Sequence, residues 1–269
     1  MSDNWKKDAE KLANEIRVKS LRMTSKAKAS HIGSCLSVAD IFATIYSGTA
    51  KISAESANDP MRDRVIVSKG HVAAAYYAVL ESTGFIDFSE LESYCQDGAM
   101  LGGHVSGRVN GVELSTGSLG HGLPYGVGLA FGLKTSYPGT RVFVVMSDGE
   151  LDEGTTWESA LIANHHKLEN LVVVVDRNNL QSLDTTENTL ALEPLADKWR
   201  AFGWNVIECD GHDVEMLRAA MKNIGPLIIL ASTIKGMGVS FMKNSVAWHY
   251  RSPSEEELVG ALSELGFKS

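Results

Sequence analysis

An acidic cluster begins where an apolar run stops. Residues 142–154 read VFVVMSDGELDEG, and four carboxylates fall within six positions: Asp148, Glu150, Asp152 and Glu153. Like charges at this spacing repel one another, so something has to offset at least some of them. The segment is therefore a candidate site for a metal ion, a proton or a partner chain.

A second polar group follows the next apolar run, where residues 171–176 read LVVVVD and Asn178 comes shortly after. If the two runs are neighbouring parallel strands, the Asp148 carboxylate and the Asn178 amide oxygen meet at the carboxyl edge of the sheet. Both are hard oxygen ligands suited to magnesium or calcium, and Gly149 allows a phosphate to approach the backbone. The pair predicts a metal-bridged diphosphate. The alternative is local: Asp148 caps a turn and Asn178 forms an Asx-turn.

Short β-branched runs alternate with helical patterns along the chain. Strands are predicted at residues 65–68, 142–146, 171–176, 205–210 and 227–232, and helices at about 71–82, 155–166 and 213–222. Continuous apolar strands indicate burial on both faces. The alternation predicts an α/β fold, a doubly wound, mostly parallel sheet flanked by helices. Ligands of such sheets bind beyond the carboxyl ends of the strands, so the residues directly after each run are of interest.

Composition narrows the class of protein. The 269 residues show no repeat, low-complexity tract or linker, which favours a single domain over residues 1–269. A formal net charge of -8 argues against a nucleic-acid partner or a basic membrane-binding face. No apolar run reaches the length of a membrane span. The isolated Cys35, Cys95 and Cys209 support neither a zinc site nor disulfides, and reduced thiols predict a cytoplasmic location.

Four histidines stand among small residues or glycines that leave room for a ligand: His31, His71, His104 and His249. An imidazole has an ordinary pKa of about 6.5, which suits proton transfer near neutral pH. We interpret these four as functional. His165 and His166 come late in a predicted helix, where packing or a helix C-terminal interaction is the better interpretation. His121 and His212 fit either interpretation.

Five separated blocks, in order, resemble the transketolase family. They read KASHIGSCLS at 28–37, SKGHVAAAYYAVL at 68–80, GGHV at 102–105, ELSTGSLGHGLPYGVGLA at 113–130 and KGMGVSFMKNSVAWHY at 235–250. Between the last two, SDGELDEG and the later RNNLQ resemble the motif that binds thiamine diphosphate. Ser147 replaces the usual first glycine of that motif, and His121 stands where full-length transketolases often have glutamine.

The resemblance implies a set of ligands for the cofactor and its metal. Magnesium would be held by Asp148, Asn178 and the carbonyl of Leu180. The positions implied to contact thiamine diphosphate are His71, Gly117, Ser118, Leu119, Gly149, Asn178, Lys235 and His249. Of these, the segment 117–119 matches the one that lies against the cofactor's rings.

The resemblance also implies catalytic and substrate contacts. His31, His104 and His249 match histidines that bond substrate hydroxyls and assist proton transfer, and Ser34 matches a further substrate contact. Glu153 matches a glutamate at a subunit interface, where it bonds the activating glutamate of the facing chain. Glu150 and Asp152 match no role, and we expect both in a solvated turn.

The implied function is transfer of a two-carbon ketol group from a ketose phosphate to an aldose, dependent on thiamine diphosphate and magnesium. The pathway would be the pentose phosphate route or the catabolism of an unusual sugar. A complete transketolase has a second α/β domain that binds the cofactor's pyrimidine ring. The chain ends after a predicted helix at 254–265. We therefore expect a separate carboxy-terminal subunit, a two-plus-two hetero-oligomer, and activity only with that partner.

Two other functions share the cofactor motif. An α subunit of a 2-oxo acid dehydrogenase would decarboxylate its substrate, and a non-catalytic partner subunit would bind the cofactor without turnover. The histidine-bearing SHIGS, SKGH and VAWHY stretches favour transketolase over both. A simple nucleotide-binding module is disfavoured because neither GxGxxG nor a P-loop occurs.

Overall fold

A five-stranded parallel sheet forms the centre of the molecule, for which a computed structural model describes residues 3–267. The strands are β1 (Arg64–Val67), β2 (Val142–Ser147), β3 (Leu171–Arg177), β4 (Asn205–Asp210) and β5 (Leu227–Ser232). Their order in the sheet is β1-β2-β3-β5-β4, and each pairing is parallel. The predicted α/β class and the positions of all five predicted strands are confirmed.

Ten α-helices occur in residues 3–267. They are α1 (Asp3–Ala27), α2 (Ile32–Thr44), α3 (Ala73–Ser82), α4 (Phe88–Glu92), α5 (Gly122–Ser136), α6 (Gly154–His165), α7 (Thr186–Thr189), α8 (Leu195–Ala201), α9 (Val214–Met221) and α10 (Glu255–Glu264). The helix predicted from residue 71 begins as a 3-10 turn, Gly70–Val72, before α3. None of the described helices combines the length and apolarity needed to cross a bilayer.

Alternate residues of each inner strand face two separate helical layers. In β2, Phe143 and Val145 pack with α1, α2 and α3, whereas Val144 and Met146 pack with α5, α6 and α8. Both faces of β1, β2, β3 and β5 are therefore covered, as continuous apolar runs predict. The edge strand β4 differs: each of its residues is exposed or half-buried, so burial on both faces was the wrong expectation for NVIECD.

A buried ion pair joins the carboxyl ends of the strands. Asp176, near the end of β3, accepts a hydrogen bond from the Lys69 ammonium at 2.5 Å, and both side chains are fully buried. The same carboxylate accepts from the Ser37 hydroxyl of α2 at 2.6 Å and from the Thr233 hydroxyl after β5. Burial acts to raise the pKa of Asp176, but Lys69 and these donors outweigh it and lower the pKa.

Asp176→Asn removes the charge, keeps the size of the side chain and leaves the Lys69 ammonium buried without its counter-ion. We expect the free energy of unfolding to fall by about 3–5 kcal/mol, the usual cost of breaking a buried pair from one side. Urea denaturation followed by circular dichroism measures the loss. Arg200→Ala breaks an exposed pair and should leave the denaturation midpoint unchanged. Similar midpoints for Asp176→Asn and wild type would contradict the prediction.

Candidate active site

A cleft with a volume of about 210 Å³ opens beyond the carboxyl ends of β1, β2 and β3. The predicted site residues that line it are His31, Ser34, His71, His104, Gly117, Leu119, Asp148, Gly149, Asn178, Leu180 and His249. Three predicted residues lie outside this lining. Ser118 and Glu153 are exposed on the surface, and Lys235 is fully buried behind the cleft wall.

The predicted metal ligands share one rim of the cleft because β2 and β3 are paired neighbours. The Asp148 carboxylate accepts hydrogen bonds from the Asn179 amide at 2.6 Å and the Gly149 amide at 2.9 Å. The Asn178 side-chain oxygen accepts from the Leu180 amide at 3.2 Å. The turn contacts of the local alternative are thus present as well. These contacts leave the Asp148 and Asn178 oxygens able to coordinate a cation, because each oxygen has a second lone pair.

The donor set at this rim fits a hard cation. In the part of the chain that the structure describes, no cluster of three or more histidine, cysteine and acidic side chains could hold a metal. A site here would consist of the Asp148 carboxylate, the Asn178 amide oxygen and the Leu180 carbonyl. Magnesium commonly binds through few protein oxygens and completes its shell with water and phosphate oxygens. The roles of these three residues as ligands stay predictions.

Arg177 adds a positive charge behind the rim that no sequence pattern predicted. Its guanidinium lies 3.5 Å from the Asp148 carboxylate and also pairs with Glu193 at 3.0 Å. Burial raises the pKa of Asp148 and the Asp176 charge adds to this, whereas Arg177 acts to lower it. A cation at the rim would further favour the ionised carboxylate.

Lys235 is a buried cation without a carboxylate partner among the described residues. Its ammonium donates to the Leu180 carbonyl at 3.3 Å, the Gln181 carbonyl at 3.4 Å and His249 Nδ1 at 3.0 Å. Burial lowers the pKa of Lys235 to about 8, and the nearby Lys69 contributes in the same direction. A buried ammonium that has no carboxylate partner is electrostatically complementary to an anionic group in the cleft.

Four histidines from four separate segments converge in the same cleft. The His31 ring lies 5.3 Å from His71, 5.6 Å from His104 and 5.1 Å from His249, measured between ring centroids. His31 precedes α2 with a left-handed backbone (φ 76°), and its amide donates to the His249 carbonyl at 2.8 Å. The structure therefore brings together all four histidines interpreted as functional from the sequence.

Three of these imidazoles, those of His31, His71 and His249, are neutral at neutral pH. Burial lowers the pKa of His31 to about 4 and of His249 to about 3, with His104 and Lys235 respectively as the next largest influences. Burial, followed by Lys69, also places the pKa of His71 well below its usual value. Because an ammonium can only donate, His249 Nδ1 accepts from Lys235 and the ring proton of the neutral imidazole is assigned to Nε2. The pKa values are thus lower than the ordinary imidazole value expected from sequence.

The other histidines lie outside the cleft. His212 accepts a hydrogen bond from the Ile234 amide at 2.8 Å through Nε2, and its Nδ1 lies 2.6 Å from the Asp40 carboxylate. Both ring nitrogens therefore have partners within the protein, which indicates a structural role. His165 and His166 are exposed at the end of α6, and His121 is exposed at the start of α5.

Two acids of the opening cluster differ from the expected solvated turn. Glu150 is fully buried, and its carboxylate accepts hydrogen bonds from the Ser68 hydroxyl and from the Gly120 amide at 2.9 Å. Asp152 is half-buried and accepts from the Gln181 side chain at 2.8 Å. The expectation was wrong for Glu150 because the loop before α5 packs over this turn. A local sequence pattern does not show which distant segment will bury a residue.

Sequence reasoning also missed part of the cleft wall. Lys69, Ser147, Gln181 and Ser182 line the cleft without having been assigned to it. The sequence does carry a signal for Lys69, because this residue follows closely after β1 inside the SKGH block. A Cβ at Gly149 would lie 3.1 Å from the Gln181 side chain, so this glycine makes room for the other wall of the cleft.

Comparison with known proteins identifies the family. Residues 8–269 match the family described as transketolase, thiamine diphosphate binding domain. The chain belongs to the transketolase family. The match covers the strand ends, the rim and all four cleft histidines, and it identifies the chain as a thiamine-diphosphate-binding domain.

Similar proteins cover the chain over most of its length. It is 37% identical over 254 residues to one subunit of the apulose-4-phosphate transketolase of Phocaeicola vulgatus, covering 93% of this chain and 90% of that protein. It is 36% identical over 264 residues to the 6-deoxy-6-sulfo-D-fructose transketolase subunit SqwG of a Clostridium species, covering 96% of each. The solved transketolase of Leishmania mexicana superimposes with a TM-score of 0.90 at 29% identity, over 97% of this chain but 41% of that one.

Lys235→Met removes the buried ammonium and keeps an unbranched apolar stem. With the pKa near 8 in the fold and 10.5 when exposed, a protonated Lys235 opposes folding below about pH 8. The variant should gain up to about 3 kcal/mol of unfolding free energy there. The gain should shrink as the pH rises from about 8 to 10.5. Over this range Lys235 of the folded wild-type protein has released its proton while Lys235 of the unfolded chain still holds one.

Denaturant unfolding of variant and wild type at each pH measures this difference. Buried thiols and phenols also titrate at alkaline pH. Their contribution to the unfolding free energy is the same in variant and wild type, so it cancels when the two are compared at the same pH. Lys243→Met, at an exposed lysine of the same loop, should show no pH-dependent gain. A Lys235→Met protein that is less stable than wild type across the whole range would contradict the prediction.

Proposed function

We propose that this chain is the diphosphate-binding subunit of a split transketolase that transfers a two-carbon ketol group from a ketose phosphate to an aldose. One observation carries the proposal. A rim of hard oxygen donors, Asp148 and Asn178, lines the same cleft as the four histidines, and the buried ammonium of Lys235 lies behind the wall in contact with Leu180 and His249. This combination suits a metal-bound diphosphate on one side and a hydroxylated substrate on the other.

Magnesium and the cofactor's diphosphate would occupy the rim. Asp148, Asn178 and the Leu180 carbonyl would bind the metal, His71 would bond the diphosphate, and the Lys235 ammonium would offset its charge from behind the cleft wall. The orphaned charge of Lys235 supports this fit, because a buried ammonium is otherwise costly. The Gly149 backbone would lie against the same phosphates. When bound, thiamine diphosphate supplies the nucleophilic carbon and the electron sink for cleaving a carbon–carbon bond.

The histidines would serve the substrate. Because His31 and His249 are neutral, either can accept a proton from a sugar hydroxyl or donate a hydrogen bond to it. His104 would contact a second hydroxyl, and its ring lies where a Cβ on Gly117 would be 3.2 Å away. Ser34, in the first turn of α2, adds a hydroxyl at the base of the same wall.

The segment Gly117, Ser118 and Leu119 would lie against the cofactor's rings. Glu153 is exposed at the start of α6, close to Gly120 of the loop that continues this segment. That position leaves its carboxylate accessible to a facing chain, which agrees with the interface role that the family resemblance implies.

A partner subunit would complete the site. Relatives matched over nearly their full length are named as subunits, one of them for apulose-4-phosphate and one for 6-deoxy-6-sulfo-D-fructose. We propose that residues 1–269 form a single thiamine-diphosphate-binding domain that pairs with a carboxy-terminal, pyrimidine-binding subunit in a two-plus-two assembly. Cys35, Cys95 and Cys209 are unpaired, which supports a reducing, cytoplasmic setting and work in carbohydrate metabolism such as the pentose phosphate route.

Asp148→Ala and His249→Ala should separate binding from turnover. Loss of Asp148 should weaken magnesium and thiamine diphosphate together, by about tenfold or more, because it removes a first ligand of the metal. Loss of His249 should lower ketol transfer by about 100-fold with a smaller change in cofactor affinity. Calorimetry with thiamine diphosphate and magnesium gives the affinities, and transfer from xylulose phosphate gives the rates.

His166→Ala, at an exposed imidazole after α6, is the matched control and should leave both quantities unchanged. Wild-type cofactor affinity in Asp148→Ala would refute the metal assignment. Turnover of pyruvate in place of ketose phosphates would instead favour a 2-oxo acid dehydrogenase.

Activity should depend on a second chain. A pull-down with the native chain should capture one partner of similar size, and titrating that partner should raise ketol transfer until the two are equimolar. Mass measurement of the complex should give two copies of each chain. Full-rate transfer by the purified chain alone would overturn this part of the proposal.

A further inference from the structure

A buried acid behind the cleft wall has none of the roles proposed above. Glu150 sits fully buried in the 3-10 turn Gly149–Asp152, directly after Asp148 and Gly149 of the rim. One of its oxygens, Oε1, accepts both the Ser68 hydroxyl and the Gly120 amide. The other, Oε2, is buried without a hydrogen-bond partner among the described residues. A half-satisfied buried carboxyl is unfavourable for stability, so its retention calls for another explanation.

The contacts of Oε1 converge on one junction of the chain. Ser68 donates to Glu150 and in turn accepts the Gly122 amide at 3.0 Å. Gly120 and Gly122 flank the point where the loop carrying residues 117–119 enters α5. A single carboxyl oxygen thus holds both amides at this junction, one directly and one through Ser68.

Gly120 is also held from its other side. Its carbonyl accepts the Thr155 hydroxyl at 2.6 Å, and its φ of 79° lies in the left-handed region. A Cβ at this position would be 2.7 Å from the Cβ of Glu153, so only glycine fits against the segment that starts α6. The peptide groups of Gly120 are therefore fastened to residues 150–155 at both ends.

We propose that Glu150 is a positioning residue that ties the loop 117–120 to the Asp148 rim, so that the ring-contacting segment and the diphosphate rim form one rigid unit. This inference rests on the proposed function, in which residues 117–119 contact the cofactor's rings. The loop itself reaches the cleft, since Gly117 and Leu119 line it and the His104 ring packs on Gly117.

Glu150 acts on this loop by accepting hydrogen bonds through Oε1. Glutamine has nearly the same shape as glutamate and keeps one oxygen that can accept at this position. Glu150→Gln should therefore preserve the loop, whereas Glu150→Ala removes the acceptor for both donors.

Hydrogen exchange on the full chain tests the positioning without cofactor. Peptides covering residues 117–122 should exchange about tenfold faster in Glu150→Ala and at nearly the wild-type rate in Glu150→Gln. Glu81→Ala is the matched control, because it removes a part-buried carboxylate that pairs with Lys19 outside the cleft. It should leave exchange in this loop unchanged. Unchanged exchange in Glu150→Ala, or equal acceleration in Glu150→Gln, would overturn the proposal.

Two probes then separate the loop from the rim. Glu150→Ala should bind thiamine diphosphate with magnesium about tenfold more weakly, yet bind inorganic diphosphate with magnesium within about twofold of wild type. A residue needed only for folding would affect both probes alike or neither, and either result would overturn the proposal. Failure of the wild-type chain, with its captured partner, to bind thiamine diphosphate would refute the proposed function instead, and the exchange experiment would still decide the positioning.

Should Glu150→Ala not fold, Ser68→Ala tests the same link. It keeps the Glu150–Gly120 bond and breaks only the connection to Gly122, so faster exchange should be confined to the start of α5. Thiamine diphosphate should bind about threefold more weakly, less than the loss of both contacts would cause. Wild-type exchange and wild-type affinity in this variant would overturn the proposal.

Discussion

A carboxylate in a protein interior has to be paired, and the pairing of Asp176 with Lys69 determines where the ends of the strands stand. The charge pair spans β1 to β3, and the added hydroxyls of Ser37 and Thr233 bring α2 and the segment after β5 to the same point. The backbone ladders set the register of the strands, and the desolvated ion pair adds a constraint on the segments that leave their carboxyl ends. Asp148, at the end of the strand between them, takes its position from this arrangement.

The charges in and around the cleft differ from what the net charge of the whole chain suggests. The formal net charge is -8, yet the Lys69–Asp176 pair is neutral overall, and the Lys235 ammonium has no carboxylate partner among the described residues. An anion entering the cleft therefore meets a fixed cation in a low-dielectric wall, while the rim carboxylate awaits a cation of its own. Local arrangement, and not net charge, decides which ligand a cleft accepts.

Features that depend on local sequence pattern could be predicted, such as the positions of the strands. Features that depend on burial by distant segments could not. Apolar runs located the five strands, and the order of Asp148 and Asn178 after two of them placed both residues at one rim. The convergence of the four histidines came from family resemblance, since spacing along the chain does not bring residues 31 and 249 together. Glu150 was misjudged because its burial depends on Ser68, 82 positions away, and on Gly120, 30 positions away. Arg177 carried no signal, because an arginine at a strand end is ordinarily solvated.

Three unfavourable features of the fold lie at or behind the cleft although they come from different elements. His31 adopts a left-handed backbone and leaves α2 without a side-chain cap, which together cost on the order of 2 kcal/mol. Lys235 buries a charge, and Glu150 buries an unpartnered oxygen. Selection for stability alone would remove each of them separately. All thirteen residues of α2 are buried, so the packed helix can offset the strain at its first residue and keep His31 in place. The coincidence of three such features around one cleft is what a constraint from ligand binding, and not from folding, produces.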